Sequence, residues 1–319
     1  MTDIFPSPTK PADGRYTEII ARTHTIPPRV TAIVHPVDAP SLQGALDAAR
    51  EGMLIPLLVG PEAKIKAAAE AIHQDISGYD LINVPHSHAA AERAVELVRE
   101  GRAVALMKGA LHTDELISAV LHKEKGLRTE RRLSHIFVMD VPRYHKLLFI
   151  SDAAINIYPD LTVKKDIVQN TIDLAQALGI ETPKVAILSA VETINPKITS
   201  TVDAAALCKM SDRNQITGGI LDGPLAFDNA ISLSAARTKG IKSEVAGDAD
   251  VLIVPDLEAG NMLAKQLEYL AGAEAAGIVL GAKVPIILTS RADSAHSRLC
   301  SCAVAQLLVS HREKTGSPL

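Results

Sequence analysis

From residue 30 onward the chain alternates two kinds of segment: short apolar runs with no polar alternation, and longer stretches whose apolar positions recur every three to four residues. Runs of the first kind read as strands covered on both faces of a parallel sheet, and stretches of the second kind as helices laid against it. The pattern predicts strands at 31–34, 55–59, 79–84 and 103–107, separated by helices at 41–50, 63–72 and 89–99, the last strand ending at Lys108-Gly109. A second series has apolar runs at 136–139, 147–150, 185–188, 219–221 and 251–254, with helices at 164–178, 201–210 and 262–271. A final run at 284–288 leads into a helix at 295–309, marked by Leu299, Ala303 and Leu307 four residues apart. Periodicity leaves open whether that run closes the second series or returns to the first. Strand and helix alternating twice in this way predict an α/β protein of doubly wound layers. The first 27 residues, with Pro6, Pro8, Pro11 and Pro27, lack periodicity and read as a surface arm that packs only in part.

Composition narrows the chemistry. At 319 residues the chain exceeds the usual size of one core, so two domains are expected. Hydrophobic residues make up 47% while aromatics are 3% and Trp is absent, which suits aliphatic layers better than a base-stacking or sugar-binding surface. A net charge of −4 gives nucleic acid no general reason to bind, so any phosphate recognition must be local. Three cysteines cannot form a disulfide framework in a chain this long, and no secretory apolar segment follows the start, so a reducing cytoplasm is expected. No apolar run approaches the ~18 residues of a spanning helix, so no membrane partner is expected. Cys300 and Cys302 stand two apart on a predicted helix, about 200° around its axis from one another, and read as buried packing rather than as a metal pair.

Polar residues gather at strand ends, which is where open α/β sheets bind ligands. The run Val284-Pro285-Ile286-Ile287-Leu288 stops at Thr289-Ser290-Arg291-Ala292-Asp293, beside the start of the final helix, whose uncapped N–H groups and positive dipole end favour an anion. The run at 219–221 leads into Asp222-Gly223-Pro224, which reads either as a plain turn or as a second strand-end site. Val254-Pro255-Asp256 with Gly260-Asn261 repeats the arrangement, and three such ends point to one cleft. Lys108-Gly109-Ala110-Leu111-His112-Thr113 follows a fourth strand and offers a cation and a hydroxyl, or only solvated surface. His86 and His88 read as a loop or helix start, since no further ligand comes at metal spacing. The stretch 123–132, with Arg128, Arg131 and Arg132, reads as a solvated face or as the source of a phosphate-facing arginine. There is no G-x-G and no G-x-x-x-x-G-K-[ST], so dinucleotide chemistry and P-loop hydrolysis lose their usual support. No G-x-S-x-G surrounds Ser290, which argues for a binding residue rather than a hydrolase nucleophile.

Taken together, the Lys108 to Thr113 hexapeptide, Ile220-Leu221-Asp222-Gly223-Pro224-Leu225-Ala226, Val254-Pro255-Asp256 with Gly260-Asn261, Ala273-Glu274-Ala275 and Ser290-Arg291 resemble the phosphate acetyltransferase/phosphate butyryltransferase family, in register over about 30–319. The resemblance implies two doubly wound α/β domains with a cleft between them. The first would be discontinuous, 1–127 plus 281–319 with 1–27 as its arm, and the second would span 128–280. It also implies a homodimer that interconverts acyl-CoA plus inorganic phosphate with acyl phosphate plus CoA, with no cofactor or metal. Carried onto this chain, the catalytic positions are Ser290, Arg291 and Asp293. Arg291 would clamp phosphate in bidentate fashion, and Ser290 with nearby backbone N–H groups would donate to the developing oxyanion, a contact contributing about 10²–10³ in rate. Lys108, His112, Thr113, Arg128, Asp222, Asp256, Gly260 and Asn261 would bind substrate, and holding both substrates together adds proximity.

The chain departs from the family pattern in places. The aspartate that acetyltransferase members carry seven residues after the serine is Ser297 here, which makes Asp293 the substitute base. Two further phosphate-contacting arginines of the family fall near Ile117 and at Tyr269, with Arg99 a possible replacement. These losses, with Val191-Glu192-Thr193-Ile194-Asn195-Pro196-Lys197 and Glu124-Lys125-Gly126-Leu127-Arg128-Thr129, make the resemblance closer to the butyryltransferase branch. Acyl length stays open between acetyl and butyryl, because a methylene is worth only ~1–3 kcal/mol of discrimination. A competing reading is a non-catalytic acyl-CoA-sensing regulatory module, favoured by the lost arginines and opposed by the retained Ser290-Arg291. A metal- and NAD-dependent dehydrogenase of similar shape lacks both a nucleotide motif and a cluster of aspartates.

Overall fold

The computed structural model describes residues 14–290 and 293–316. They divide into two compact units: a terminal unit of Ile19–His135 with the residues from Ala276 onward, and a middle unit of Ile136–Ala275 with the described residues up to Glu18. The units change over at 18/19, 135/136 and 275/276, where the sequence reading keeps the arm with the first domain and places changes at 127/128 and 280/281.

The described part of the arm packs in part, as expected, but through a helix that the sequence reading did not place. Helix α1 (Arg15–Thr23) fully buries Tyr16, whose hydroxyl donates to the Val138 carbonyl, while Arg15 pairs with Asp140. The prolines obscured this helix, since Pro6, Pro8 and Pro11 lie outside the described residues and Pro27 falls beyond its end.

In the terminal unit the chain then runs β1 (Arg29–Val34), α2 (Ala39–Arg50), β2 (Leu54–Gly60), α3 (Glu62–Ala71), β3 (Asp80–Asn83), α4 (Ser87–Arg99), β4 (Ala105–Lys108) and α5 (Thr113–Val120). Local chemistry sets these boundaries. Asp38 caps α2 by accepting the Ser41 N–H at 2.9 Å, and Pro40 sits in the first turn where a missing N–H costs nothing. The middle unit follows with β5 (Ser134–Asp140), β6 (Leu148–Ser151), α6 (Leu161–Ala177), β7 (Lys184–Leu188), α7 (Thr199–Asp212), β8 (Ile220–Leu225), α8 (Phe227–Ile231), α9 (Leu233–Thr238), β9 (Val251–Ile253) and α10 (Leu257–Ala271). Its strands lie in the order β5-β6-β9-β7-β8, parallel except for the β5–β6 pair.

The chain returns to the terminal unit through β10 (Glu274–Leu280), β11 (Ile286–Ile287) and α11 (Ala295–Thr315), giving the strand order β3-β2-β1-β4-β11-β10. Strand β11 pairs parallel with β4, Ile287 beside Met107, and antiparallel with β10. The run left open by periodicity therefore returns to the first series. Helix α11 buries Cys300, Cys302, Ala303 and Leu308 and packs on α2 at Gly44, where a Cβ would lie 2.8 Å from Arg298 Cδ. Both cysteines are buried and neither is in a disulfide, and burial pushes the Cys302 thiol up to about 12. Fully burying an aliphatic side chain of this kind stabilises by roughly 1.5–3 kcal/mol. No helix among the described residues is long and apolar enough to cross a membrane.

Candidate functional site

Two neighbouring strands of the terminal unit, β4 and β11, deliver several predicted site residues. Lys108 closes β4 in register with Val34 of β1 and is buried. The next residue must be glycine, because a Cβ on Gly109 would lie 2.5 Å from the Val34 carbonyl oxygen. Backbone N–H groups of Gly109 and Ala110 donate to the Val34 and His35 carbonyls, each at 2.9 Å, and turn the chain toward α5. His112 occupies the N-cap position of α5 without a side-chain capping bond, and Thr113 opens the helix. The first-turn N–H groups therefore keep their positive end uncapped by that side chain.

Beyond β11, Asp293 Oδ2 accepts the Ser290 N–H at 2.7 Å, and the Asp293 N–H returns to the Ser290 carbonyl at 3.2 Å. Arg298, buried on α11, donates Nη2 to the same carbonyl at 3.2 Å. The Ser290 amide is thus committed to Asp293 and is not among the backbone N–H groups open to a ligand. Ser297, at the position of the family aspartate, donates its N–H to the capping Ser294 Oγ at 3.0 Å and shares a 3.1 Å hydroxyl contact with it. Arg291 lies outside the described residues. Arg128 is exposed, in a segment held by its bridge to Ala282 and by the Thr129 hydroxyl donating to the Gly281 carbonyl at 2.7 Å.

A cleft of about 630 Å³ lies elsewhere in this unit, between α4 and α5, lined by His88, Glu92, Arg99, Glu115, His122 and Lys125 among others. No predicted catalytic or substrate-binding residue lines it. Arg99, the possible replacement for a family arginine, faces this cleft and donates to the Lys125 carbonyl at 3.3 Å. His86 starts α4 by accepting the Ala89 N–H at 3.2 Å, and among the described residues no three His, Cys, Asp or Glu side chains are grouped to hold a metal ion.

In the middle unit the strand ends are arranged differently. Asp222-Gly223-Pro224 is not a turn after a strand, as one reading had it, but part of edge strand β8. The register with β7 slips there, between Ala186 and Leu188, and an edge strand tolerates a proline. Asp222 Oδ1 accepts the Gly223 N–H at 2.9 Å. Nearby Cys208 has its thiol pushed up to about 12 by burial and by the Asp222 charge. Asp256 caps α10 by accepting the Ala259 N–H at 2.9 Å. Gly260 lets that helix approach the end of β6, since a Cβ would lie 2.8 Å from the Asp152 carbonyl oxygen, and Asn261 donates to the Ala153 carbonyl at 3.2 Å.

Sequence reasoning passed over Asp152, His35 and Arg298. Asp152 ends β6, is 2% exposed, and accepts the N–H groups of Ala154, Ile155 and Asn156 as well as Asn156 Nδ2. Burial raises its carboxyl above the ordinary value against the pull of those hydrogen bonds. The signal was present, an aspartate at the end of an apolar run, but no glycine or proline drew attention to it. A separate charge cluster joins Asp248 to Lys184 at 2.6 Å, His145 at 2.8 Å and Lys146 at 3.0 Å. Burial opposes the charge on Asp248, yet these partners outweigh it and hold the carboxyl well below the usual range.

Comparison with known proteins decides the family. The profile described as Phosphate acetyl/butaryl transferase matches residues 87–306, and a relative named "Phosphate acetyltransferase" from Rhizobium meliloti is 59% identical over 96% of both chains. The chain belongs to this family. It is therefore an acyltransferase with phosphate as one reactant, and the reading as a regulatory acyl-CoA sensor is not supported. A "Phosphate butyryltransferase" from Clostridium acetobutylicum is 43% identical, covering 93% of this chain and 99% of its own. Identity is thus higher to this acetyltransferase-named relative than to the butyryltransferase, against the branch expected from the lost arginines. Among solved structures, a branched-chain phosphotransacylase from Enterococcus faecalis V583 superposes with a TM-score of 0.76 at 32% identity, covering 88% of this chain and 99% of its own. The α/β fold expected from the apolar runs is the family's fold.

Proposed function

We propose that the chain transfers an acetyl group between coenzyme A and inorganic phosphate, acetyl-CoA plus phosphate giving acetyl phosphate plus CoA. The observation that carries this reading is the 59% identity, over nearly the whole chain, to a relative named for phosphate and acetyl. In the reaction a phosphate oxygen attacks the thioester carbonyl, the tetrahedral oxyanion collapses, the C–S bond breaks and CoA leaves as a thiolate that takes a proton. Every reacting group comes from the two substrates, so no cofactor or metal is assigned.

Both substrates are anionic, so stabilising charge is the main task. Lys108, His112 and Thr113 receive phosphate at the end of β4, where a buried lysine donates to the Gly109 carbonyl at 3.3 Å and α5 begins without a side-chain cap. Arg291 clamps phosphate, Arg128 reaches substrate phosphate, and the Ser290 hydroxyl donates to the oxyanion. Asp293, while holding the Ser290 amide, serves as base by taking the proton of the attacking hydrogen phosphate and passing it to the departing thiolate. Asp222 contacts substrate through Oδ2, which accepts no hydrogen bond among the described residues. Asp256, Gly260 and Asn261 act by shaping the turn into α10, since each is engaged in packing or hydrogen bonding there. A homodimer in the cytoplasm completes the proposal, the homodimer supported by Met262, Tyr269 and Leu270 standing exposed on α10.

The test is thiol release from acetyl-, propionyl- and butyryl-CoA with phosphate. Acetyl-CoA is expected to turn over fastest; a tenfold preference for butyryl-CoA contradicts the acyl assignment, and no turnover with any of them contradicts the reaction. Asp293→Asn keeps an oxygen for the Ser290 amide while removing the base, so it should lower the rate and abolish the acidic limb of the pH–rate profile; an unaltered profile removes Asp293 from that role.

A further inference from the structure

Strand β1 ends at a residue that no motif picks out. His35 has φ of 58°, a left-handed conformation that glycine or asparagine adopts far more readily than histidine. Its side chain is nevertheless packed inside, the residue being 8% exposed. The backbone N–H donates to the Val59 carbonyl at 2.7 Å, which ties the residue to β2. On its other side His35 holds Ala110 twice. The His35 carbonyl accepts the Ala110 N–H at 2.9 Å, and ring Nδ1 stands 2.9 Å from the Ala110 carbonyl oxygen. A carbonyl oxygen can only accept, so Nδ1 carries the hydrogen and donates. Between the two strands Gly109 brings the backbones together, a Cβ there lying 2.7 Å from the His35 carbonyl oxygen.

We propose that His35 is a positioning residue for phosphate, acting by clamping Ala110 and thereby fixing the 108–113 loop that presents Lys108 and His112. A left-handed conformer retained by a histidine, when glycine would meet the backbone need without strain, places the ring's bond to Ala110 as the reason for the residue. The clamp lies between Lys108 and the start of α5, so loosening it shifts both groups that meet phosphate and leaves the acyl-CoA contacts untouched. The inference rests on the 108–113 loop being the phosphate site.

The experiment compares His35→Gly and His35→Asn by steady-state kinetics in inorganic phosphate and acetyl-CoA. Glycine keeps the backbone conformation and removes the donor. Asparagine tolerates the same φ and hangs Nδ2 from Cγ, as histidine hangs Nδ1, so it restores the bond. Losing one neutral hydrogen bond predicts a rise of about 5–10-fold in KM for phosphate in H35G, with KM for acetyl-CoA within twofold, and H35N returning phosphate KM to within about twofold. If H35G does not fold, His35→Asp, which tolerates the same φ and offers acceptors in place of the donor, takes its place with a rise in phosphate KM at least as large. The proposal is overturned if phosphate KM stays within twofold of the starting protein, if both KM values and kcat move together, or if H35N is as impaired as H35G. Lys108→Met separates the two levels of inference. An unchanged phosphate KM in K108M removes the loop from phosphate binding and the clamp with it, whereas a raised KM in K108M with none in H35G overturns the clamp alone.

Discussion

The ends of β4 and β11 in the terminal unit and the ends of β6 and β9 in the middle unit carry the same sequence signature: an apolar run, then polar residues, then a helix. They differ in where the polar groups spend their hydrogen bonds. At the β6 and β9 ends Asp152 satisfies three backbone N–H groups, Asp256 caps α10 and Asn261 binds the Ala153 carbonyl. At the β4 end His112 sits at a helix start without capping it, and Lys108 ends its strand beside a glycine held to the neighbouring backbone. Buried polar groups are partnered almost without exception, so partners inside the fold mark a structural role. What sets the β4 end apart is the start of α5, which the His112 side chain leaves uncapped, while Lys108 Nζ donates to the Gly109 carbonyl at 3.3 Å. Position at a strand end alone does not separate the two.

The largest effect that separates the regions is on stability. Asp152→Ala removes a buried carboxylate that accepts three partly buried N–H groups and should lower the unfolding free energy by about 3 kcal/mol, read from denaturant midpoints; a loss under ~0.5 kcal/mol would mean the carboxylate is not what holds the end of β6. In the other region, Ser290→Ala should lower kcat/KM by about 100-fold, as expected for an oxyanion donor, with the denaturant midpoint unmoved. A drop in stability comparable to the drop in rate would make Ser290 a structural residue like its counterparts. Asp256→Ala removes a helix cap and should cost about 1 kcal/mol while leaving the rate of the folded protein within about twofold. The smallest effect lies outside both regions. Asp248 has its carboxyl held down by its cationic partners, so its stabilisation is present above the ordinary carboxylate range and is lost as pH falls toward its folded value. After discounting for solvent exposure, Asp248→Asn should cost under ~1 kcal/mol near neutral pH. The difference in melting temperature should close in acid, and a difference that persists there would assign the effect to packing.

Much of this arrangement is legible in the chain. The run 185–188 is apolar without interruption because both sheet faces are covered, and the runs 31–34, 55–59 and 185–188 each lie within an observed strand. Strand β10 escaped because Glu274-Ala275-Ala276-Gly277 dilutes its apolar character, and α5 because its eight residues mix acidic and apolar positions without a long stripe. Most of the strand-end residues were visible, Asp152 and His35 excepted, but their division into structural and chemical groups was not. That division depends on partners far along the chain: Asn261 on Ala153, Arg298 on Ser290, and His35 on Ala110, 75 residues away. Asp222-Gly223-Pro224 looked like a turn because its residue types favour one, and only the slipped register of an edge strand accommodates it instead.

The most direct test of the division is the phosphate dependence of thiol release in Lys108→Met and Asp256→Ala measured side by side with their unfolding curves. K108M should raise KM for phosphate by at least about tenfold, in keeping with loss of a charged contact, at an unchanged midpoint, while D256A shifts the midpoint and leaves that KM alone. The opposite pattern, a phosphate KM that moves in D256A and not in K108M, would contradict the account.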